Sequence, residues 1–206
     1  MSIRKLIKIV AASVVVLVST QVLAEPVIDK PAPVFSGKAA DGSTINLADF
    51  KGKTVVLEWT NHQCPYVVKH YDKSGNIPQL QKDYTAKGIV WLQVISSAEG
   101  KQGYVDAAGA IKNNADRGAA PTNTILDPQG VIGKLYAAQT SPHIFIINPE
   151  GTLVYKGGID SIKSNKPEDI PNATNYVREA LDALAAGKKV PNPSTAPYGC
   201  SVKYAS

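Results

Sequence analysis

Apolar positions along this chain fall into two patterns that alternate from the amino-terminal to the carboxyl-terminal end. Short apolar runs that are typical of buried strands occupy 54–59, 89–95, 123–126 and 143–147. Between them lie stretches with the spacing of amphipathic helices. Strands that alternate with helices form a mostly parallel sheet with helices on both faces. The pattern therefore predicts an α/β fold with a mixed central sheet flanked by helices.

The predicted helices are bounded by glycine and proline. We expect them at 65–87, 103–113, 131–138 and 175–186. Gly75 and Pro78 interrupt the first, which indicates a break or kink there. Gly187 is expected to end the last helix.

Two hairpins and an irregular tail complete the predicted architecture. Asp41-Gly42 before the short strand 44–47 indicates an amino-terminal hairpin. The turn 148–151 joins 143–147 to 152–155 in a closing hairpin. The tail 191–206 is rich in proline, has no apolar period, and carries Cys200.

Residues 1–24 read as a secretory signal peptide, with a basic start, an apolar centre and a cleavage site after Ala24. The apolar stretch is short for a membrane span, so we expect no stable membrane anchor. Removal of its three bases lowers the net charge from +5 to +2.

No stretch interleaves clustered bases with aromatics, so no nucleic-acid partner is expected. The divisions are thus signal peptide 1–24, domain 25–190 and tail 191–206, in a protein exported to the periplasm or the extracellular space.

Cys64 is the first candidate for chemistry. It follows an apolar strand and a polar loop, and Pro65 fits the first position of a helix. Unpaired backbone N–H groups at a helix N-terminus favour the reactive thiolate. The other cysteine is Cys200. A structural disulfide between the two, or an inert buried thiol, is the competing interpretation, because disulfides persist in exported proteins.

Three segments resemble the redoxins of the alkyl hydroperoxide reductase/thiol-specific antioxidant (AhpC/TSA) superfamily, which have the thioredoxin fold. The segment 47–59 followed by Cys64-Pro65 looks like the opening of such a domain. The segment 140–155 looks like its cis-proline loop and closing hairpin, and 197–204 is similar to the tail of a peroxiredoxin-like subgroup. The resemblance implies a thiol-dependent oxidoreductase.

Carried over by position, the resemblance makes Cys64 the peroxidatic or first dithiol cysteine. Val67 stands where thioredoxins keep the second cysteine, so Cys200 is the possible resolving cysteine. Asn61 replaces the threonine and Leu57 the proline that peroxiredoxins keep nearby. The pattern places Arg117 after a helix that returns to the opposite end of the sheet. These departures count against efficient peroxidase activity.

Four further residues are candidates for roles beside Cys64. Glu58 falls where thioredoxins place a buried acid, which could accept or deliver the thiol proton; alternatively it faces water. His62 could stabilise the thiolate or serve as a base, or be an ordinary loop histidine. The resemblance implies that Ser141 and Pro142, in cis, place backbone beside Cys64 for an extended substrate.

The main hypothesis is an enzyme that reduces peroxides or exchanges protein disulfides, without a cofactor, and that receives electrons from a thioredoxin-like donor. The alternative is a thioredoxin-fold copper or zinc chaperone that binds metal through His62, Cys64 and His143, since thiolate and imidazole suit these metals. His70, on the helix, is expected to be solvated. The two hypotheses differ in what they expect of the cysteines: a reversible Cys64–Cys200 disulfide in the enzyme, and metal bound by the reduced Cys64 in the chaperone.

Overall fold

The structure is a computed structural model that describes residues 25–205. It contains five α-helices: α1 (Pro65–His70), α2 (Asn76–Thr85), α3 (Ala107–Asp116), α4 (Val131–Leu135) and α5 (Tyr176–Ala185). It contains nine strands: β1 (Ser36–Ala39), β2 (Thr44–Asn46), β3 (Val55–Trp59), β4 (Val90–Ile95), β5 (Asn123–Leu126), β6 (Thr140–Ser141), β7 (His143–Ile147), β8 (Leu153–Gly157) and β9 (Cys200–Ser201). Short 3-10 helices cover Leu47–Phe50 and Pro167–Asn172. The predicted signal peptide lies outside the described residues.

Seven strands form one mixed sheet in the order β2-β1-β5-β4-β3-β7-β8. The three central strands β5, β4 and β3 are parallel, while β1 and β7 run antiparallel to their neighbours. Every residue of β3 and β4 is buried, as expected for strands covered on both faces. The predicted mixed α/β fold and both hairpins are thus confirmed.

The alternation of side chains along β3 divides the core into two parts. Val55, Leu57 and Trp59 pack on one face with α4. Val56 and Glu58 lie on the other face, beneath α1, α2 and α5. Cys64 belongs to this second cluster. The two faces of β3 therefore have different chemistry, one aromatic and aliphatic, the other containing a carboxyl group.

The predicted break in the first helix is confirmed. Tyr71 ends α1, and α2 starts after Gly75, which has a positive φ of 64°. Pro78 sits inside the first turn of α2, where its missing N–H costs little. Two short helices therefore replace one long one, and the turn between them packs Tyr71 into the core.

The tail is more ordered than its sequence predicts. Residues near 194 pair with the outer edge of β8, through hydrogen bonds between Lys156 and both Pro193 and Thr195. The chain then crosses the protein, and β9 pairs antiparallel with β6. Hydrogen bonds from Ala98 to Lys203 and from Val202 to Gln139 hold its end. The tail is irregular, as predicted, apart from the bridge at Ser194 and the two-residue β9, and these pairings with segments far away in sequence fix its course.

Candidate active site

Cys64 lies at the N-cap of α1, as predicted. Its backbone is extended, with φ −79° and ψ 125°, and Pro65 occupies the first helical position. The Cys64 carbonyl accepts a hydrogen bond from Val68 N. The Cys64 side chain is fully buried, and α1 is only six residues long. A strand, a tight loop and a short helix therefore present the sulfur beneath the tail.

The loop before Cys64 is held by its own side chains. The Asn61 carbonyl accepts from Cys64 N at 3.0 Å, and Asn61 Oδ1 accepts from Gln63 N at 2.9 Å. The Gln63 side chain accepts from Gly103 N at 3.0 Å. Asn61 is thus a turn-forming residue whose short side chain bonds to the backbone two positions later, a role that asparagine performs well. Sequence comparison marked Asn61 only as a departure from a threonine.

The sulfurs of Cys64 and Cys200 are joined in a disulfide that spans 136 residues of sequence, with Cα atoms 5.9 Å apart. This distance lies in the normal range for disulfides. The pairing of β9 with β6 sets Cys200 opposite Ser141. Tertiary structure therefore brings together the two cysteines that the sequence singled out.

Two backbone groups also approach the sulfur of Cys64. The Ser141 carbonyl oxygen lies 3.1 Å from Sγ, and the backbone N of Cys200 lies 3.3 Å from it. When the disulfide is opened, a Cys64 thiol at this position could donate to the carbonyl, whereas a thiolate could accept from the Cys200 N–H. The N–H group therefore favours the thiolate and the carbonyl favours the thiol.

The Ser141-Pro142 peptide bond is cis, as the resemblance implied. Both residues are buried. The backbone of Thr140 and Ser141 is not open to an extended substrate, because β9 pairs with it. The expectation that this edge is available for substrate is thus wrong for the disulfide form. The protein's own tail takes that place.

Glu58 is fully buried on the face of β3 that Cys64 contacts. Its carboxylate accepts three hydrogen bonds: from Tyr71 Oη at 2.6 Å, Trp91 Nε1 at 2.7 Å and Gln81 Nε2 at 3.1 Å. Burial raises the pKa of Glu58 above its usual value, and the hydrogen bonds offset part of that rise. The buried position predicted for Glu58 is therefore correct.

A chain of polar side chains continues from Glu58 into the sheet. Gln93, the register partner of Glu58 on β4, donates to Tyr71 Oη at 2.6 Å and accepts from Thr124 at 2.8 Å. Burial, followed by the nearby Glu58, raises the pKa of Tyr71 well above its usual value. Tyr71 therefore stays a neutral phenol that donates to Glu58. The sequence signal for this network was the pair of polar residues, Glu58 and Gln93, inside two apolar strands.

His62 and Arg117 lie together at the loop before Cys64. Arg117 Nη2 donates to the His62 carbonyl at 2.9 Å. Partial burial, together with the positive charge of Arg117, lowers the pKa of His62. A histidine with a lowered pKa is neutral at pH 7, which suits a base better than a fixed imidazolium. The expectation that Arg117 lies at the opposite end of the sheet was wrong, because the turn after α3 brings it back to this loop.

The three residues of the alternative metal set do not converge. The His143 ring contacts the Phe145 ring, with centroids 4.4 Å apart, on the side of the sheet opposite the cluster that contains Cys64. Its Nδ1 accepts from the backbone N of Gln139, and burial lowers its pKa to about 3. Within residues 25–205 no group of three or more His, Cys, Asp or Glu side chains is placed to hold a metal ion.

His70 is fully buried, so the expectation that it is solvated was wrong. Its ring contacts Tyr198 of the tail and lies near Asp160. Burial, together with the nearby charge of Lys69, lowers the pKa of His70 to about 3. The helical pattern could not reveal this burial, because the tail that covers His70 folds back over the helix from more than a hundred residues away.

Comparison with known proteins agrees with this geometry. The model of the AhpC/TSA family matches residues 28–156, more than half of the chain. Among curated proteins, none matches the sequence of this chain. No helix within 25–205 has the length and apolar character that a membrane crossing requires.

Solved structures with the same fold cover most of the chain. A conserved protein from Geobacillus kaustophilus is 26% identical over 86% of this chain and 92% of its own, with a TM-score of 0.72. A hypothetical protein from Sinorhizobium meliloti 1021 is 22% identical over 89% and 97%, with a TM-score of 0.70. A structure from Chlorobium tepidum, titled as a thiol:disulfide interchange protein DsbE, is 24% identical over 64% and 85%, with a TM-score of 0.50. With its thioredoxin-like sheet and its cysteine at the start of α1, the chain belongs to the AhpC/TSA family of redoxins.

Proposed function

We propose that the protein is an exported thiol-dependent oxidoreductase that cycles between a dithiol and the Cys64–Cys200 disulfide. The observation that carries the proposal is the bond between these two cysteines at the start of α1 in a redoxin domain. Cys64 is the attacking thiol and Cys200 the resolving one. No cofactor is needed, because both electrons come from sulfur.

With a peroxide as oxidant, each step balances. The Cys64 thiolate attacks one peroxide oxygen, so that an S–O bond forms, the O–O bond breaks and the leaving oxygen takes a proton. The product is a sulfenic acid on Cys64. The Cys200 thiol then attacks that sulfur, the S–O bond breaks, and the hydroxide that leaves takes the Cys200 proton, which gives water and the disulfide. A thioredoxin-like dithiol donor restores both thiols and is itself oxidised.

With a protein disulfide as substrate, the Cys64 thiolate attacks one substrate sulfur, so that the substrate S–S bond breaks, the other substrate sulfur leaves as a thiolate and a mixed disulfide forms. Cys200 then attacks the Cys64 sulfur, which forms the Cys64–Cys200 disulfide and releases the second substrate thiolate. The tail supports the peroxide reaction over this one. Cys64 is fully buried and β9 covers the backbone edge before Pro142. A small peroxide needs less space than a protein disulfide, which would have to displace β9 to reach Cys64, whereas the donor attacks the half-buried Cys200 and releases the Cys64 thiolate. We therefore favour a peroxide as substrate.

Two residues are proposed to assist Cys64, His62 by accepting the thiol proton and Glu58 by its charge. His62 lies two positions before Cys64, and its lowered pKa keeps it neutral and able to accept the thiol proton. Glu58, whose bonds go to Tyr71, Gln81 and Trp91, acts on Cys64 through the electric field in the buried cluster. Pro65 fixes the start of the helix. Ser141 supplies the carbonyl beside Sγ.

Export and the position of cleavage are part of the same proposal. Cleavage after Ala24 would leave a domain of 25–190 followed by the tail 191–206. An oxidising compartment would keep Cys64 and Cys200 paired until a donor reduces them. Fractionation of cells that express the full chain, with mass spectrometry of the amino terminus, tests this part separately from the chemistry.

The enzymatic test uses residues 25–206 of the protein with a dithiol donor and two oxidants, a peroxide and insulin disulfides. We expect peroxide-dependent consumption of dithiol, abolished by Cys64→Ser. Cys200→Ser should still form a sulfenic acid on Cys64, which a dimedone-type probe traps. If wild type and Cys64→Ser are equally inactive toward both oxidants, the disulfide is structural and the proposal is wrong.

A further inference from the structure

A cluster of charged and polar side chains is buried beneath the carboxyl-terminal tail. Lys69 and His70 are fully buried, Asp160 is 3% exposed and Tyr198 is 6% exposed. Lys69 Nζ lies 3.5 Å from Asp160 Oδ2 and 3.4 Å from the carbonyl oxygen of Ile162. Neither the sheet nor the chemistry of Cys64 requires these residues, so their burial needs its own explanation.

Each hydrogen bond of the cluster has a defined donor and acceptor. Asn76 Nδ2 donates to His70 Nδ1 at 2.9 Å, which leaves the ring proton on Nε2. Nε2 lies 3.2 Å from Tyr198 Oη, and Tyr198 Oη donates to Asp160 Oδ1 at 2.5 Å. The neutral His70 and the carboxylate of Asp160 therefore bind the Tyr198 hydroxyl from both sides. A phenylalanine would fill the same space without either bond.

The cluster joins the two segments that carry the cysteines. Lys69 and His70 belong to α1, which starts directly after Cys64, whereas Tyr198 lies two residues before Cys200. Asp160 follows β8 and links the two. The ring of Tyr198 also packs edge-on against Tyr66 at 5.8 Å between centroids. The position of the tail relative to Cys64 is therefore defined by bonds other than the disulfide.

Buried ion pairs are a costly way to gain stability. The desolvation of both charges commonly cancels their attraction, and apolar residues of similar size can stabilise a core as well. Hydrogen bonds to a buried polar cluster instead fix a position. Only one placement of the Tyr198 hydroxyl lets it donate to Asp160 and accept from His70. The cluster is suited to placing the tail more than to stabilising the fold.

We infer that Tyr198 is a positioning residue that holds Cys200 against Cys64 through the buried cluster of Lys69, His70 and Asp160. This inference rests on the proposed function, in which Cys200 must reach the oxidised Cys64 in each cycle. A resolving thiol that is held in place reacts as if it were present at high concentration, because the entropy of bringing it there is already lost. The reduced protein therefore keeps its tail docked, and Cys200 is already beside the Cys64 sulfur when that sulfur is oxidised.

The experiment measures the effective concentration of Cys200 relative to Cys64. Residues 25–206 are equilibrated in glutathione buffers of graded ratio, quenched with acid and alkylated, and the disulfide fraction is read by mass spectrometry. Tyr198→Phe is expected to lower the effective concentration about tenfold, the size of a lost hydrogen bond to a charged group. The matched control is Tyr204→Phe, which also removes a tyrosine hydroxyl from the tail, the one that donates to the Ala138 carbonyl at 2.8 Å. Because its acceptor is neutral, Tyr204→Phe is expected to lower the effective concentration less, by about fivefold.

A second measurement keeps the inference testable without the disulfide. In the Cys64→Ser background, hydrogen exchange of the Val202 amide, which donates to Gln139, reports whether the tail stays docked. Tyr198→Phe should speed this exchange about tenfold, while amides in β4 keep their protection. An unchanged effective concentration together with unchanged Val202 exchange would overturn the inference.

Failure of this inference and failure of the proposed function give different results. The glutathione equilibrium and the hydrogen exchange need no substrate and no donor. If Tyr198→Phe behaves as expected but wild type turns over neither oxidant, the tail is positioned for a structural disulfide and the enzyme proposal is wrong. If wild type is active and Tyr198→Phe matches Tyr204→Phe in both measurements, positioning by the cluster is wrong.

Discussion

Arg117 donates a hydrogen bond of 2.9 Å to the backbone carbonyl of His62, two residues before Cys64. The same guanidinium lies 3.4 Å from Asp72 and 5.0 Å from the centroid of the Tyr71 ring. Its side chain is only 10% exposed. This arginine therefore connects the turn after α3 to the loop that presents Cys64 and to the helix that follows it.

Arg117→Lys should loosen this loop, because one ammonium group cannot serve the His62 carbonyl and Asp72 with the same planar geometry. We expect a loss of about 1–3 kcal/mol in the free energy of unfolding and about tenfold slower oxidation of Cys64 by peroxide. Urea unfolding and the loss of free thiol measure the two effects. Arg178→Lys is the matched control, since Arg178 also pairs with an aspartate and lies over a tyrosine ring, but away from Cys64. Equal thiol oxidation rates in the two variants would contradict the prediction.

Gly199→Ala should prevent the tail from docking. Gly199 has a φ of 147°, and a Cβ there would collide with the carbonyl of Ser141. Gly187→Ala is the matched control, because Gly187 also has a positive φ of 66° but open space around it. Gly187→Ala loses about 1–2 kcal/mol for its left-handed backbone conformation, and Gly199→Ala loses at least as much, because a φ of 147° favours glycine. We expect only Gly199→Ala to retain free thiols after mild oxidation, as counted by alkylation and mass spectrometry.

Cys200→Ser should remove the stability that the disulfide gives to the oxidised protein. Disulfides that close long loops stabilise small domains by about 2–5 kcal/mol. Urea unfolding of the wild type should therefore depend on added reductant, and unfolding of Cys200→Ser should not. If the variant is as stable as the oxidised wild type, the bond contributes nothing to the fold.

His143 should make the fold sensitive to acid. In the folded protein burial lowers the pKa of His143 to about 3, whereas the unfolded chain binds its proton near the usual value of 6.5. The unfolded state therefore holds more protons between these values, and stability falls as the pH falls from 6.5 toward 3. His143→Asn, which keeps an acceptor for Gln139 N, should make the slope shallower by about 1.4 kcal/mol per pH unit. Unfolding in urea at graded pH measures this, with His62→Asn as the control at a half-buried site.

Glu58 should change the stability of the fold with pH in the direction opposite to His143. Its raised pKa means that the folded protein keeps a proton above pH 4.5 that the unfolded chain releases, so this group lowers stability as the pH rises through that window. Glu58→Gln should cost about 1–3 kcal/mol near pH 4.5, because three donors point at the carboxyl group, and less at higher pH. The measurement is the difference between the urea midpoints of the wild type and Glu58→Gln, followed as a function of pH. Glu150→Gln, on the surface, is the control; a Glu58→Gln penalty that grows with pH would contradict the assignment.

Local patterns along the chain were sufficient for much of the fold. The apolar runs of β3 and β4, Gly75 and Pro78 between two helices, and the turn before β8 all depend on neighbours within a few residues. Cys64 before Pro65 also belongs to this class, since a helix N-terminus is a local structure. Strand alternation is also local, and it placed Glu58 on the same face of β3 as Val56, although the burial of that face was left open.

The placements that sequence patterns missed depend on contacts distant in the chain. His70 looks like a surface position of an amphipathic helix until the tail covers it, and Arg117 looks remote from Cys64 until the turn after α3 returns it. The tail has no period of its own because its order comes from the edges of β6 and β8. Such pairing depends on which segments the folded core leaves side by side.

Periodicity and backbone chemistry between near neighbours were enough to predict the order of strands and helices, the cysteine at the start of α1 and the acid in β3. The resemblance pointed to Cys200 as the possible resolving cysteine. Its place against Cys64, with Cα atoms 5.9 Å apart, and the binding of Tyr198 between His70 and Asp160 depend on contacts between distant segments. These contacts form because the packing of α1 against the sheet creates the buried polar surface on which the tail docks. No local pattern in the tail records where that surface will be.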